Sequence, residues 1–457
     1  MKKLIVICLF LIVLISFAQA QDSLKYSKQQ VAGDIALLIS SAADIHPNLY
    51  HDISRQQLTN KIDSLVKTLP DSLSDLTAYR TFAEATAFIN EGHTGINIPK
   101  LIRAQRKAGV FKTIPLQAVD FNGHYFLANI ISPNLNLKGI KVTVINGKTS
   151  ADIFKQMMAL RGGLPAFRKA SVIANFRIYL AALGITQPYL IDYIDQQSQK
   201  QQVEVTGITE SEYVAATTVV KDTKNYTFNI VNNAYGYLNF KWMDNYDGFK
   251  RFCDSVFRVM DEQDIHKLII DLRENGGGNS ALGRLLLDYI TITPYRMAGE
   301  SERKVSQGFK DHIMANKNLY GNNYDDLLKM PNGAFLKIGN DDFYKPEDRK
   351  YRYKGKVCFL IGSNTFSSAN MLSATIKDFK LATLIGEPTG EPGNDYGELC
   401  DIKLPQTGFI AFTSTTLWVR PNNDKTDNKP IYPDYIVQKS PSGDDNVLKF
   451  AVGWLAK

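Results

Sequence analysis

Asn364-Thr365-Phe366-Ser367-Ser368-Ala369-Asn370 stands between a strand-like run, Val357 to Ile361, and a helix-like run, Ala369 to Phe379. That order predicts a strand, a tight turn and a helix, with the Ser367 hydroxyl exposed where the helix begins. A helix start carries unpaired backbone N–H groups and a partial positive charge. A serine there can attack a carbonyl while its neighbours' amides hold the oxyanion. The same place also suits Ser367 or Ser368 as a plain N-cap, and the turn alone does not separate the two readings.

Working outward, the alternation from Asn225 onward is that of an α/β domain. Tyr235 to Phe240 reads as a strand, Gly248 to Asp261 as a helix and Lys267 to Leu272 as a strand. Asn275-Gly276-Gly277-Gly278 follows, then a helix from Ser280 to Ile290. Three glycines let the backbone approach a ligand and turn its amides into a concavity for a phosphate or an oxyanion. Gly276-x-Gly278-x-x-Ala281 also fits a loose dinucleotide fingerprint, but no acidic residue ends a second strand at the required distance. Residues 296–355 are polar and turn-rich, without strong periodicity, and read as a long excursion. A strand at Ala382 to Ile385, strand-like runs at 401–405 and 409–413 and a helix from Val447 to Lys457 complete the domain, 225–457.

Ahead of it, three helices are expected within residues 21–109. Val31, Ile35, Leu38, Ile39 and Ala42 share one helical face, and Leu58, Ile62, Leu65, Val66 and Leu69 repeat that spacing. The third helix carries Leu76, Tyr79, Phe82 and Ile89 and is expected to stop at Gly92. His93 then falls in the turn into Thr94 to Ile98, where an imidazole can be presented without burial. Between 110 and 215, Asp120-Phe121-Asn122-Gly123 and Ile145-Asn146-Gly147 are hairpin signals within a small β-rich module. Gly147-Lys148-Thr149 resembles the end of a phosphate loop, but Val142 stands where the leading glycine belongs.

At 457 residues and 44% hydrophobic content, the chain is long enough for roughly three domains with ordinary cores. Lys2 and Lys3, the apolar run Leu4 to Phe17 and Ala18-Gln19-Ala20 make residues 1–20 a signal peptide, cut before Gln21. The expectation is export to the periplasm or beyond, with no integral membrane segment once the leader is removed. Without the two leader lysines, 51 basic side chains face 46 acidic ones, a diffuse +5 that gives no reason to expect nucleic acid. Cys253, Cys358 and Cys400 are too few for a disulfide framework.

Taken together, these motifs carry a resemblance. Asp271-Leu272-Arg273-Glu274-Asn275-Gly276-Gly277-Gly278, then Thr365-Phe366-Ser367-Ser368-Ala369, then Leu384-Ile385-Gly386-Glu387-Pro388-Thr389-Gly390 resemble the C-terminal-processing (tail-specific) protease family. Pro430-Ile431-Tyr432-Pro433-Asp434-Tyr435 resembles its closing strand. The resemblance implies a crotonase/ClpP-like α/β core of ββα units, an N-terminal helical region and a PDZ-like module at 110–215. It further implies Ser367 as nucleophile and the backbone N–H groups of Gly277 and Ser368 as the oxyanion hole.

Many relatives place a lysine about 25 residues after the serine; here that position is Pro392. Lys377 is separated from Ser367 by about 15 Å of helix. The branch resembling the tricorn core uses serine with histidine, and Glu91-Gly92-His93-Thr94-Gly95 is similar to its motif. Likeness then implies His93, neutral near pH 7, as the base, and Asp427, with Asp424 close by, as the acid partner.

Neither a His-Glu-x-x-His arrangement nor a Cys/His cluster favours a metal, and no G-x-S-x-G elbow is present. The expected activity is peptide-bond hydrolysis of protein or peptide substrates without a cofactor. The rival reading is a catalytically inactive binding protein on the same scaffold, taking a small hydrophobic ligand or a peptide. An acyl-thioester enzyme of crotonase type would need an intracellular cofactor, which export opposes.

Overall fold

The computed structural model describes residues 25–132, 134–217, 224–320, 324–339, 342–440 and 444–457. The expected leader lies outside the described residues. No described helix is long and apolar enough to cross a membrane.

The amphipathic runs near the front form helices Lys28–Ile45, Arg55–Lys67 and Asp75–Ala87. Ser27 and Ser54 open the first two with capping boxes, each exchanging hydrogen bonds with a glutamine three residues on. The third helix ends at Ala87, short of the expected Gly92. Asn90 takes the left-handed conformation there, at φ 60°. Gly92 serves a close approach instead, because a Cβ on it would lie 2.9 Å from the Phe366 ring.

In the β-rich module, strands Leu116–Phe121, Phe126–Ser132, Leu135–Ile145, Tyr189–Ile194 and Lys200–Val205 pair antiparallel in chain order, with Lys148–Thr149 folded back on the third. Asn146 and Gly147 both have positive φ, 47° and 76°, as a tight two-residue hairpin turn requires. Helices Ser150–Met158, Pro165–Ala174 and Phe176–Ala182 pack against these strands.

The α/β part is built on a six-stranded sheet in the order Tyr226–Val231, Tyr235–Phe240, Lys267–Asp271, Lys356–Ile361, Thr383–Gly386, Tyr435–Ile436. The first pair is antiparallel and the rest are parallel. Helices Tyr246–Glu262, Ala281–Asp288 and Ser368–Phe379 share one buried core with the sheet, and Asn446–Ala456 packs in a second. Burial on both faces explains why the central strands are almost continuously apolar. The loops leaving Lys267–Asp271 and Lys356–Ile361 emerge side by side at the strands' carboxyl ends, the usual place for a site in such sheets.

Another sheet runs Phe335–Gly339, Glu300–Lys304, Ile410–Val419, Asp395–Lys403, all antiparallel, and the short strand Gly95–Ile96 pairs with Ile410–Val419. The stretch expected as an irregular excursion therefore supplies two strands and the helix Gln307–Ala315. Only Ser301 is buried within Glu300–Lys304, so its charged residues left no apolar alternation to read. This sheet packs into the same hydrophobic core as the N-terminal helices and the β-rich module. Cys253, Cys358 and Cys400 are buried and free.

Candidate active site

Ser367 sits between the strand Lys356–Ile361 and the helix Ser368–Phe379 with φ 55° and ψ −128°, a conformation that a residue with a side chain occupies only under constraint. Its side chain makes no capping hydrogen bond. The Ser368 hydroxyl donates to the Gly278 carbonyl at 2.6 Å. Neither serine therefore acts as the plain cap that the sequence left open.

Backbone and side-chain ties from both sides hold this turn. Phe366 N–H donates to the Asn275 carbonyl at 3.0 Å, and the Thr365 hydroxyl donates to the Leu272 carbonyl at 2.8 Å. On the other side Gly390 N–H donates to the Thr365 carbonyl at 3.0 Å. Gly277, at φ 102°, is pressed against the serine: a Cβ there would stand 2.6 Å from the Ser367 Cβ and 3.0 Å from the Ser368 amide nitrogen. Only glycine fits. The Gly277 and Ser368 backbones assigned to the oxyanion hole by resemblance thus lie close together. The Gly277 N–H is already engaged, donating to Asn275 Oδ1 at 2.9 Å, so an oxyanion would share or displace that bond.

His93 comes from the front of the chain and meets this turn. Its ring lies 4.6 Å from the Phe366 ring, centroid to centroid. Its loop is fixed by Glu91, whose carboxylate accepts the His93 N–H, the Thr94 hydroxyl at 2.6 Å and the Ser414 hydroxyl at 3.2 Å. From the opposite side Arg161 donates to the Gly92 carbonyl at 2.6 Å. Phe167 stacks on Phe366 with centroids 4.2 Å apart, which extends the aromatic column from His93 into the β-rich module.

Glu391, a residue that the sequence reading missed, lies between histidine and serine. One carboxylate oxygen is 2.8 Å from His93 Nδ1, and the other accepts the Ser367 backbone N–H. Glu391 is 4% exposed and His93 8%. A signal was available in the glutamate that directly precedes Pro392, the position at which a lysine was sought.

Asp427 lies elsewhere. Its carboxylate pairs with Arg420, which also binds Asp378 at 2.6 Å, so it is not the acid beside His93. Asp424 turns its own carboxylate onto the Thr426 amide and hydroxyl. Lys377 pairs with Asp434 at 2.5 Å.

The electrostatics correct a further expectation. Burial alone would lower the His93 pKa, but the charge and contact of Glu391, followed by those of Glu91, outweigh it and raise the pKa to about 10. The ring is an imidazolium at neutral pH, not the neutral base expected. Burial opposes the Glu91 charge, yet His93, His46 and Thr94 hold its pKa down at about 2. Burial lowers His46, 3.9 Å from Glu91, to about 4, so it stays neutral. Asp395 is raised well above the usual carboxylate range by burial and then by the Glu391 charge.

With this fold and this match to known proteins, the chain is a hydrolase of the serine-peptidase class. Residues 234–437 match the model for peptidase family S41. Among solved structures, mature CPAF aligns at a TM-score of 0.63 and 14% identity, over 94% of this chain and 96% of that one. Mature CPAF complexed with lactacystin gives the same score and identity over 94% and 97%. The photosystem II D1 C-terminal processing protease aligns at 0.44 and 14% identity over 94% and 97%. At such identities the CPAF likeness is one of fold. No curated protein matches the chain.

Proposed function

We propose that this chain is an exported peptidase that hydrolyses peptide bonds of protein or peptide substrates, with Ser367 as nucleophile and His93 as its base. The observation that carries the reading is Ser367 itself. It is held at positive φ, caps nothing and faces a glycine that has no room for a side chain. Neutral His93 removes the hydroxyl proton, and the alkoxide attacks the substrate carbonyl beside the Gly277 and Ser368 amides. The imidazolium then protonates the leaving amine, and water, deprotonated by the same ring, resolves the acyl-enzyme. Because the resting ring is charged, the rate should climb from pH 7 toward pH 10 as the base form appears. Export rests on the leader-like first twenty residues and puts the site of action in the periplasm or outside the cell.

The test is covalent labelling by a fluorophosphonate, followed by cleavage of an unfolded casein-type substrate. Lactacystin, present in one CPAF structure, is a second probe. Modification should fall on Ser367, and Ser367→Ala should abolish both labelling and cleavage with its fold retained. Cleavage by that variant at the parental rate would overturn the assignment. A folded parent chain that no probe modifies would instead favour the binding-protein reading.

A further inference from the structure

We propose that Glu391 is the positioning acid of this site, one carboxylate oxygen aligning the His93 ring and the other fixing the Ser367 amide. The inference rests on the serine-peptidase reading and deepens it. Usual triads give the acid one task, orienting the imidazole. Here a single buried carboxylate spans base and nucleophile, 2.8 Å from His93 Nδ1 and accepting the Ser367 N–H.

Its placement is over-determined. Glu391 precedes Pro392, which confines its backbone to extended conformations. Its carbonyl accepts the Thr389 hydroxyl at 3.1 Å, and Pro392 pairs across to Pro430 in an antiparallel bridge. The Ser367 conformation needs an outside restraint, because a non-glycine residue at such φ and ψ costs on the order of 1–3 kcal/mol. A charge-assisted hydrogen bond to its own amide supplies one.

The other candidates for the acid role are spoken for. Asp427 is held by Arg420, Glu91 braces the His93 loop, and Asp395 faces the Asn370 amide. His46 faces Glu91, and the Arg161 guanidinium rests on the Gly92 carbonyl. Glu391 is the carboxylate that reaches both partners.

The test uses the whole chain and two readouts. In ¹⁵N-histidine NMR titrations, with the His93 signal assigned by its loss in His93→Gln, Glu391→Gln should lower the His93 pKa by at least about one unit, tenfold in proton affinity. Asp427→Asn should leave it in place. In fluorophosphonate labelling, Glu391→Gln should move the rising limb of the rate to lower pH and cut the plateau by up to about 10⁴-fold, as loss of an orienting acid does. An unmoved His93 pKa and limb in Glu391→Gln, or a moved one in Asp427→Asn, would overturn the proposal. If Glu391→Gln shifts the His93 pKa but the parent chain is never labelled, the peptidase reading fails and the catalytic use of the bridge fails with it.

Discussion

His93 combines burial with a retained charge, and this ties function to stability. Its folded pKa lies above the unfolded value of about 6.5, so folding favours the protonated ring. The resulting stabilisation is complete below that unfolded value and is lost as pH rises through about 10. Urea unfolding midpoints should therefore fall between pH 7 and pH 10 in the parent, and more shallowly in His93→Gln; parallel slopes would contradict the buried pairing. At this scale the sequence was informative where backbone constraint shows through residue type. Ser367 could be found because a strand, a turn and a helix surround it, and Gly277 because consecutive glycines mark a close approach. Glu391 escaped because a carboxylate in a Pro/Gly loop has no periodicity, and its neighbours, His93 and Ser367, come from opposite ends of the chain. The His93 charge state escaped for the same reason, since it is set by contacts that no local pattern encodes.

Among the elements, the segment 161–167 couples the β-rich module to the His93 loop. A Cβ on Gly162 would lie 2.8 Å from the Glu91 backbone and one on Gly163 3.2 Å from the Gly92 Cα, so the two loops touch through their backbones. Arg161 adds the bond to Gly92 and lies over the Phe167 and Phe412 rings at 5.3 and 6.0 Å. Arg161→Ala should loosen this contact by about 1.5–3 kcal/mol, the range for a hydrogen bond to a charged group. Hydrogen exchange should quicken across residues 91–95, with the strands Tyr226–Val231 and Tyr235–Phe240 unchanged and the labelling rate of Ser367 reduced; unchanged exchange across residues 91–95 would show that the two parts are not coupled through this residue. Most elements around the active turn were legible because their apolar spacing is clean. Glu300–Lys304 was not, because it is paired by backbone bonds while its side chains remain charged and half-exposed.

Across the whole molecule, the front and back of the chain are joined by Asp34. This fully buried carboxylate accepts the Thr407 amide at 2.8 Å and hydroxyl at 2.7 Å, and the Gln406 amide at 3.3 Å. Asp34→Ala would strand those donors, and a loss on the order of 3 kcal/mol is expected as a lower thermal midpoint with accelerated exchange in helix Lys28–Ile45. An unaltered melt would mean the junction is held by the apolar core alone. The pairing of Gly95–Ile96 with Ile410–Val419 extends the same closure to the His93 loop. It sets an order in time as well as in space: a growing polypeptide carries its imidazole from the outset, yet the strand that pairs beside it, Ile410–Val419, is made much later. A truncated product lacking that strand would leave the His93 loop without the partner that fixes its position.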